Sequence, residues 1–335
     1  MDLISRGSKM KAIVYKKYGP PAGLALQEVE IPAPQENEVL IKLLATSLNA
    51  SDWESLTGKP LYARFGGLLK PGRQILGSDI AGRVEVVGSK VTRYKPGDEV
   101  FGDILWRKGG LAEYVCAPEN ALALKPASMT FEQAAAYPQA ALVALQALRD
   151  SGQIEAGKRV LINGAGGGMG TFGLQFAKWY GAEVTGVDRT EKLDLMRALG
   201  ADHVIDHTQE DYTKNGQQYD LILDVIAQRS IFAYNRALRP EGIFVFVGGS
   251  MSTLLQALVL GPLLSRIVGK KIGGNTWQQN KKEDLALLEE LFIAGTVVPV
   301  IDRTYPLRAA PEALRYLGEC HARGKVVITI GEKTA

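Results

Sequence analysis

The sequence predicts an α/β fold, with a doubly wound parallel sheet beside a second, mostly-β unit. Three observations carry this expectation. From residue 159 to residue 248, short apolar strand patterns alternate with helical ones. Near-continuous apolar strands in such alternation belong to a parallel sheet covered on both faces. Residues 11–125 instead carry short β patterns between turn signals. The chain has 335 residues, a length that suggests two domains.

The first strand is expected at Ala12–Tyr15. Residues 1–9 read as a loose extension, because Met10-Lys-Ala-Ile-Val-Tyr looks like the start of the first strand; no secretory signal is expected, since Met1–Met10 lacks an apolar stretch. Further strands are expected at Glu38–Ala45, Ile80–Val87, Glu99–Gly102 and Ala112–Ala117. Gly19-Pro20-Pro21, Lys95-Pro96-Gly97-Asp98 and Gly109-Gly110 punctuate them. From 127 to 150 the pattern turns helical. A strand beginning at Arg159 then ends in five glycines among the seven residues Gly164–Gly170, and a helical pattern, Thr171–Tyr180, follows at once. Strands are expected next at Glu183–Asp188, His203–Asp206, Tyr219–Ile226 and Gly242–Gly248, with helices at Lys192–Leu199 and Ser230–Leu238. The apolar run Leu254–Val268 is broken by Gln256, Pro262 and Arg266 and is too short to span a bilayer. It reads as a helix buried against its own domain or a twin subunit, or as a mobile wall of a substrate pocket. Lys270–Gly274 reads as an edge strand. A charged helix (Lys281–Ala294), a short strand (Val298–Ile301), a helix near Ala310–Cys320 and a strand (Lys325–Ile330) close the chain.

Composition excludes several classes. With 46% hydrophobic and 22% charged residues, the chain is of ordinary globular type. A net charge of +3 is too small to argue for nucleic acid or a membrane surface as a partner. Two cysteines, Cys116 and Cys320, form no disulfide framework and suit a reducing, cytoplasmic setting.

The glycine tract carries the chemistry. Strand, glycine turn and helix in immediate succession make a phosphate-binding turn: glycines let the backbone approach a pyrophosphate, and the helix N-terminus offers free N–H groups and a positive dipole end. The strict G-x-G-x-x-G string is absent, and the nearest fit is Ala165-x-Gly167-x-x-Gly170, with Gly166, Gly168 and Met169 between. An acidic residue is expected about 20 residues on, at the end of the second strand, and Asp188 stands there. Its carboxylate would accept hydrogen bonds from the adenosine ribose of NADH and repel the 2′-phosphate of NADPH. Arg189 and Lys192 pull the other way, since both could pair with a phosphate.

Several runs, in this order and spacing, resemble the medium-chain dehydrogenase/reductase superfamily. They are Ser47-Leu-Asn-Ala-Ser-Asp-Trp53, Ile75-Leu-Gly-Ser-Asp-Ile-Ala-Gly82 with Val86-Val-Gly88, Lys95-Pro-Gly-Asp-Glu-Val-Phe101, Ala112-Glu-Tyr114, the Ala165–Gly170 turn, Ala198-Leu-Gly-Ala-Asp-His-Val-Ile205 and Gly324-Lys-Val-Val327. The likeness is to the zinc-free branch of quinone oxidoreductases and enone reductases, including the reticulon-4-interacting-protein-like group. It implies a GroES-like β domain (1–127 and 281–335) into which a Rossmann domain (128–280) is inserted. It also implies pairing of Rossmann sheet edges in a homodimer. Zinc-dependent relatives place a Cys where this chain has Asn49 and a His-Glu pair where it has Ser78-Asp79. Two isolated Cys and three scattered His (His203, His207, His321) do not supply converging zinc ligands, so no metal is expected.

Without a metal, the simplest reaction is hydride delivery from NAD(P)H to a small-molecule quinone or enone. By resemblance, Asn49 and Asp52 match the family's Asn-x-x-Asp pair beside the nicotinamide. Asn49 would donate to a substrate carbonyl or hold its loop, and Asp52 would orient. Tyr62 is the candidate proton donor, with solvent as the alternative. Trp53, Trp106 and Trp277 are candidate pocket walls or simple packing. Val143 stands where many relatives have a nicotinamide-facing Thr. The backbone at Val247, Gly248 and Gly249 should meet the carboxamide, and Lys325 either reaches the pyrophosphate or is solvated. Two other functions stay open: a nucleotide-binding sensor or structural protein with little catalysis, and a metal-free alcohol or carbonyl dehydrogenase.

Overall fold

The computed structural model describes residues 7–65 and 67–331. The chain divides into two compact units: residues 1–139, 279–286 and 301–335 in the first, and 140–278 and 287–300 in the second. The expected extension at 1–9 lies outside the described residues as far as Arg6, and the first strand begins at Lys9.

The first unit opens with β1 (Lys9–Val14) and β2 (Ala25–Glu30), an antiparallel pair. Its larger sheet has seven strands. Chain order supplies β3 (Glu38–Leu48), β4 (Asp79–Val87), β5 (Glu99–Asp103), β6 (Tyr114–Pro118) and β7 (Leu122–Leu124). Helix α1 (Ala50–Thr57) follows β3, and α2 (Phe131–Ala136) follows β7. The buried apolar side chains of β3, β4 and β5 form one continuous core, which includes Ile41, Leu43, Ile80, Val84 and Val100. The helix α3 (Pro138–Gln146) starts at the end of this unit.

The second unit is a six-stranded, all-parallel sheet of order β10-β9-β8-β11-β12-β13. Its strands are β8 (Arg159–Asn163), β9 (Glu183–Asp188), β10 (His203–Asp206), β11 (Tyr219–Asp224), β12 (Leu238–Phe246) and β13 (Lys271–Gly274). Between them run α4 (Gly170–Trp179), α5 (Leu193–Ala198), α6 (Ile231–Ala237) and α7 (Met251–Val268). β8 is the first strand, and its neighbours β9 and β11 lie on opposite sides of it, so the strand order reverses there. Ligands of doubly wound sheets bind at the carboxyl ends of strands beside such a reversal. No helix is long and apolar enough to cross a membrane among the described residues.

The chain then forms α8 (Lys282–Ile293), β14 (Ile301–Pro306), α9 (Ala310–Gly318) and β15 (Lys325–Thr329). β14 and β15 return to the first unit, where β15 pairs with β3.

Three expectations are corrected. The strand expected at Val298–Ile301 begins only at Ile301, as β14. The backbone of Val298 is satisfied instead by one side chain, Gln175, which accepts from its N–H (2.9 Å) and donates to its carbonyl (3.0 Å). β11 stops at Asp224 rather than Ile226, because the Asp224 carboxylate accepts the N–H of Ile226 at 2.9 Å and turns the chain. The unit boundaries also differ from 128–280. Residues 128–139 cluster with the first unit, where α2 packs on β3 and β4, and 287–300 cluster with the second.

Candidate active site

In the second unit, β8 ends at Asn163, and Gly164 turns the chain with φ +82°. The helix α4 then begins at Gly170 with no side-chain cap and no acidic residue in its first turn. An uncapped N-terminus of this kind suits an anion. Only glycine fits at 170: a Cβ there would collide with the Gly164 carbonyl oxygen and lie 2.6 Å from the Ala165 Cα.

Asp188 ends β9 and is buried. Its carboxylate accepts the N–H of Gly166 (2.9 Å) and of Arg189 (2.9 Å), and the Lys192 ammonium lies 3.4 Å away, itself buried. The expected ribose acceptor is thus already braced against the glycine turn and paired with a cation. Val247, Gly248 and Gly249 follow β12. The N–H of Val247 donates to the Asp224 carbonyl (3.0 Å), and the Gly248 carbonyl accepts from Ala227 (3.0 Å). Gly249 has φ +154° and lies against the Ala227 carbonyl, which leaves no room for a side chain. Val143 is half-buried on α3, and Trp277 lies in the segment after β13, its indole N–H buried without a partner.

In the first unit, the ends of β3, β4, β5 and β15 bring together a buried polar cluster. Asp79, the first residue of β4, is fully buried. Its carboxylate accepts from Asn49 Nδ2 (2.9 Å), Ser47 Oγ (3.2 Å), the Gln139 N–H (2.9 Å) and Lys325 Nζ (3.3 Å). Burial pushes the Asp79 carboxyl up, and the Lys325 ammonium and these hydrogen bonds oppose the rise. Lys325 also donates to Asn49 Oδ1 at 2.6 Å. Asp103 lies opposite Asp79 in the β4–β5 register. It accepts from the Leu105 N–H (2.8 Å) and, at a long 3.4 Å, from Gln139 Nε2. Burial first, and the Asp79 charge second, hold its carboxyl well above the usual range.

Asp52 is fully buried in the first turn of α1. Its carboxylate accepts the N–H groups of Asn49 and Gly77, both at 3.0 Å, and Lys108 Nζ is 4.0 Å away. It ties the start of α1 to the segment before β4, which is an orienting role and leaves it no outward-facing acid. Burial lowers the Lys108 ammonium, opposed by Asp52, Glu54 and Asp103. Tyr62 lies in a short 3₁₀ turn, Leu61–Arg64, and donates to Glu54 Oε1 at 2.9 Å. Desolvation first, and the Glu54 charge second, hold its phenol above the usual range. A phenol so placed is a weak acid with its proton already engaged.

One expectation is corrected here. Lys325 is not solvated: it is 1% exposed, and its ammonium is held by Asn49 and Asp79 rather than free to reach a pyrophosphate. Of the two readings of Trp53, packing accounts for one side of the ring, which fills the space beside Gly318 of α9. Trp106 is 74% exposed, in the turn after β5. Gln139, Asp103 and Lys108 were not foreseen, since each is a single polar residue with no local pattern.

Among the described residues, no group of three or more His, Cys, Asp or Glu side chains could hold a metal ion. The donor set at the expected zinc position does not fit one. It is an amide, a hydroxyl and a carboxylate already bound to an ammonium, whereas zinc takes thiolate, imidazole and carboxylate ligands.

The fold and these two sites define a dinucleotide-type oxidoreductase scaffold, and comparison with known proteins agrees. Residues 35–127 match the family described as alcohol dehydrogenase GroES-like domain, and residues 199–328 the family described as zinc-binding dehydrogenase. The chain is 34% identical to NAD(P)H oxidoreductase RTN4IP1, mitochondrial, of Bos taurus, over 97% of this chain and 90% of that one. It is 36% identical to the 2-methylene-furan-3-one reductase of Solanum lycopersicum, over 97% and 80%. The quinone oxidoreductase structure from Coxiella burnetii superposes with a TM-score of 0.86 at 29% identity, over 97% and 100%. The chain belongs to the medium-chain dehydrogenase/reductase superfamily of NAD(P)H oxidoreductases, in its quinone-oxidoreductase-like group.

Proposed function

We propose that this enzyme reduces quinones or α,β-unsaturated carbonyl compounds with NAD(P)H and without zinc. The observation that carries the proposal is the Asn49–Asp79–Lys325 cluster: where zinc-dependent relatives would coordinate a metal, this chain holds an amide between a carboxylate and an ammonium. When bound, NAD(P)H supplies the hydride. The glycine turn Ala165–Gly170 and the α4 N-terminus would hold the pyrophosphate, Asp188, Arg189 and Lys192 would hold the adenosine end, and the backbone of Val247–Gly249 would hold the carboxamide. Asn49 offers an amide N–H to the acceptor oxygen, which gains negative charge as the hydride arrives. Asp52 keeps Asn49 at the head of α1. Solvent is the favoured proton source, because the Tyr62 hydroxyl is engaged with Glu54.

Asp188 favours NADH, although its pairing with Lys192 weakens the repulsion of a 2′-phosphate and leaves NADPH usable. Unpaired Cys116 and Cys320 suit a cytosolic enzyme, and the edge strand β13 suits a homodimer. The second reading, nucleotide binding with little catalysis, rests on Val143, which lacks a hydroxyl for the nicotinamide. Parallel assays with NADH and NADPH against small quinones, enones and alkenals decide between them. Cofactor oxidation that chelators leave unchanged is expected. Cofactor binding without turnover on any acceptor would favour the second reading, and loss of activity with chelator would refute zinc independence.

A further inference from the structure

We infer that Lys325 is a positioning residue for Asn49, fixing the side-chain amide so that its N–H edge, and never its oxygen, is left for a ligand. The inference rests on the acceptor-binding role proposed above for Asn49.

An asparagine amide has an accepting and a donating end of nearly equal shape. Two charged neighbours remove the ambiguity here. An ammonium can only donate, so the atom 2.6 Å from Lys325 Nζ is Oδ1. Asp79 accepts, so the atom 2.9 Å from its Oδ2 is Nδ2. Rotating the amide by half a turn would set Nδ2 against the ammonium and Oδ1 against the carboxylate, two repulsive contacts in a buried cluster. Lys325 and Asp79 are 1% and 0% exposed, and Asn49 is 8% exposed, so water does little to screen them. Nδ2 carries two hydrogens, and Asp79 takes one. The other has no partner among the described residues. It is therefore the cluster's one uncommitted donor on this amide, and Lys325, acting with Asp79, determines that it is a donor.

The positions of the three groups agree with this role. Asn49 heads α1, and Asp79 and Lys325 begin β4 and β15. The strands β4 and β15 flank β3, whose last residue directly precedes Asn49. A fixed ammonium delivered by the sheet thus polarises the amide through its oxygen and touches no reacting atom.

Three variants test the assignment: Lys325→Arg, Lys325→Met and the double change Lys325→Met with Asp79→Asn. The double variant removes the Lys325 ammonium together with its ion-pair partner Asp79, so it separates orientation from folding. In protein labelled with ¹⁵N asparagine, the Asn49 side-chain signals are identified by their loss in Asn49→Ser. Their exchange with solvent should speed up more than about tenfold in Lys325→Met and in the double variant, and stay slow in Lys325→Arg. With an acceptor in hand, kcat/KM for that acceptor should fall roughly 10–100-fold in both methionine variants, the loss expected of a misplaced contact group. NAD(P)H affinity should hold within about twofold, and Lys325→Arg should recover most of the rate. Unchanged Asn49 exchange in Lys325→Met, or full turnover in the double variant, would overturn the inference. The exchange measurement needs no turnover, so it decides the role of Lys325 even if no acceptor is found.

Discussion

Asp103 faces Asp79 across the β4–β5 pair; the Lys325 ammonium lies 3.3 Å from Asp79, and the charge of the Lys108 ammonium acts with that of Asp103. Because Asp103 is held well above the usual carboxylate range, the folded chain keeps this proton after the unfolded chain has lost it. Below about pH 3.9, the ordinary aspartate value, both states are protonated and the residue has no effect on stability. As pH rises past that value, the unfolded state ionises first, and stability falls until the folded value is passed. Asp103→Asn abolishes that loss and keeps an acceptor for the Leu105 N–H. Melting curves of wild type and variant should nearly coincide at about pH 4 and separate in the variant's favour towards pH 8, by about 2–4 °C per kcal/mol. Parallel pH profiles would show that Asp103 ionises normally. Asp188 makes a second test at this scale. Asp188→Ser frees the Lys192 ammonium beside the position of a 2′-phosphate and should raise the NADPH/NADH ratio of kcat/KM roughly 10–100-fold. A ratio unmoved or lowered would refute the role of Asp188. The two residues differ in how far the sequence reveals them. Asp188 is legible because its distance from the glycine tract is set by one helix and one strand, α4 and β9. Asp103 is not, since only strand pairing brings it opposite Asp79. Lys325 is visible as a residue, but its partner Asn49 lies 276 positions away, and no local rule links them.

Among the elements, the turn between β8 and α4 is constrained most tightly. Its glycines do different jobs: Gly164 takes a left-handed φ, and Gly170 makes the closest approach to neighbouring backbone. Gly170→Ala cannot be absorbed by a side-chain rotation, because the obstacles are the Gly164 carbonyl oxygen and the Ala165 backbone. The turn must shift, and with it the N–H groups that a pyrophosphate would meet. NAD(P)H affinity, followed by quenching or enhancement of nicotinamide fluorescence, should fall more than about tenfold. An unchanged dissociation constant would show that this turn does not hold the dinucleotide. The surrounding βα elements were readable from periodicity alone, with ends shifted by a few residues, because their apolar runs are long and their turns rich in glycine. Helix α1 was not: its eight residues, Ala50–Thr57, mix small polar and apolar side chains without a clean stripe. The strand β2 escaped for a related reason. It is half-exposed, with the polar sequence Ala-Leu-Gln-Glu-Val-Glu, and is defined by its pairing with β1.

At the scale of the whole chain, the two units interleave in sequence, and the return of β15 to β3 was legible only through family resemblance. Nothing in the strand pattern Lys325–Ile330 says which sheet it joins; the register with Ala45–Leu48 does. Association between chains poses the same kind of question, and β13 is where it can be answered. This strand pairs with β12 along one side, and its other side pairs with no strand among the described residues. An open edge presents unpaired N–H and C=O groups, which a second copy can satisfy by extending the sheet across a two-fold axis. On the helix α7, which packs against β13, Leu255, Leu258 and Val259 are exposed. Gly273 offers a clean intervention, since a Cβ there meets nothing within 4 Å. Gly273→Lys should therefore leave the isolated chain folded while setting a charge on the edge, the device by which natural edge strands block pairing. Sedimentation equilibrium at micromolar concentration should give twice the 36.2 kDa chain mass for the wild type and a single chain mass for Gly273→Lys. A wild type that sediments as one chain would end the dimer reading. A variant that stays dimeric with unchanged affinity would move the interface away from β13.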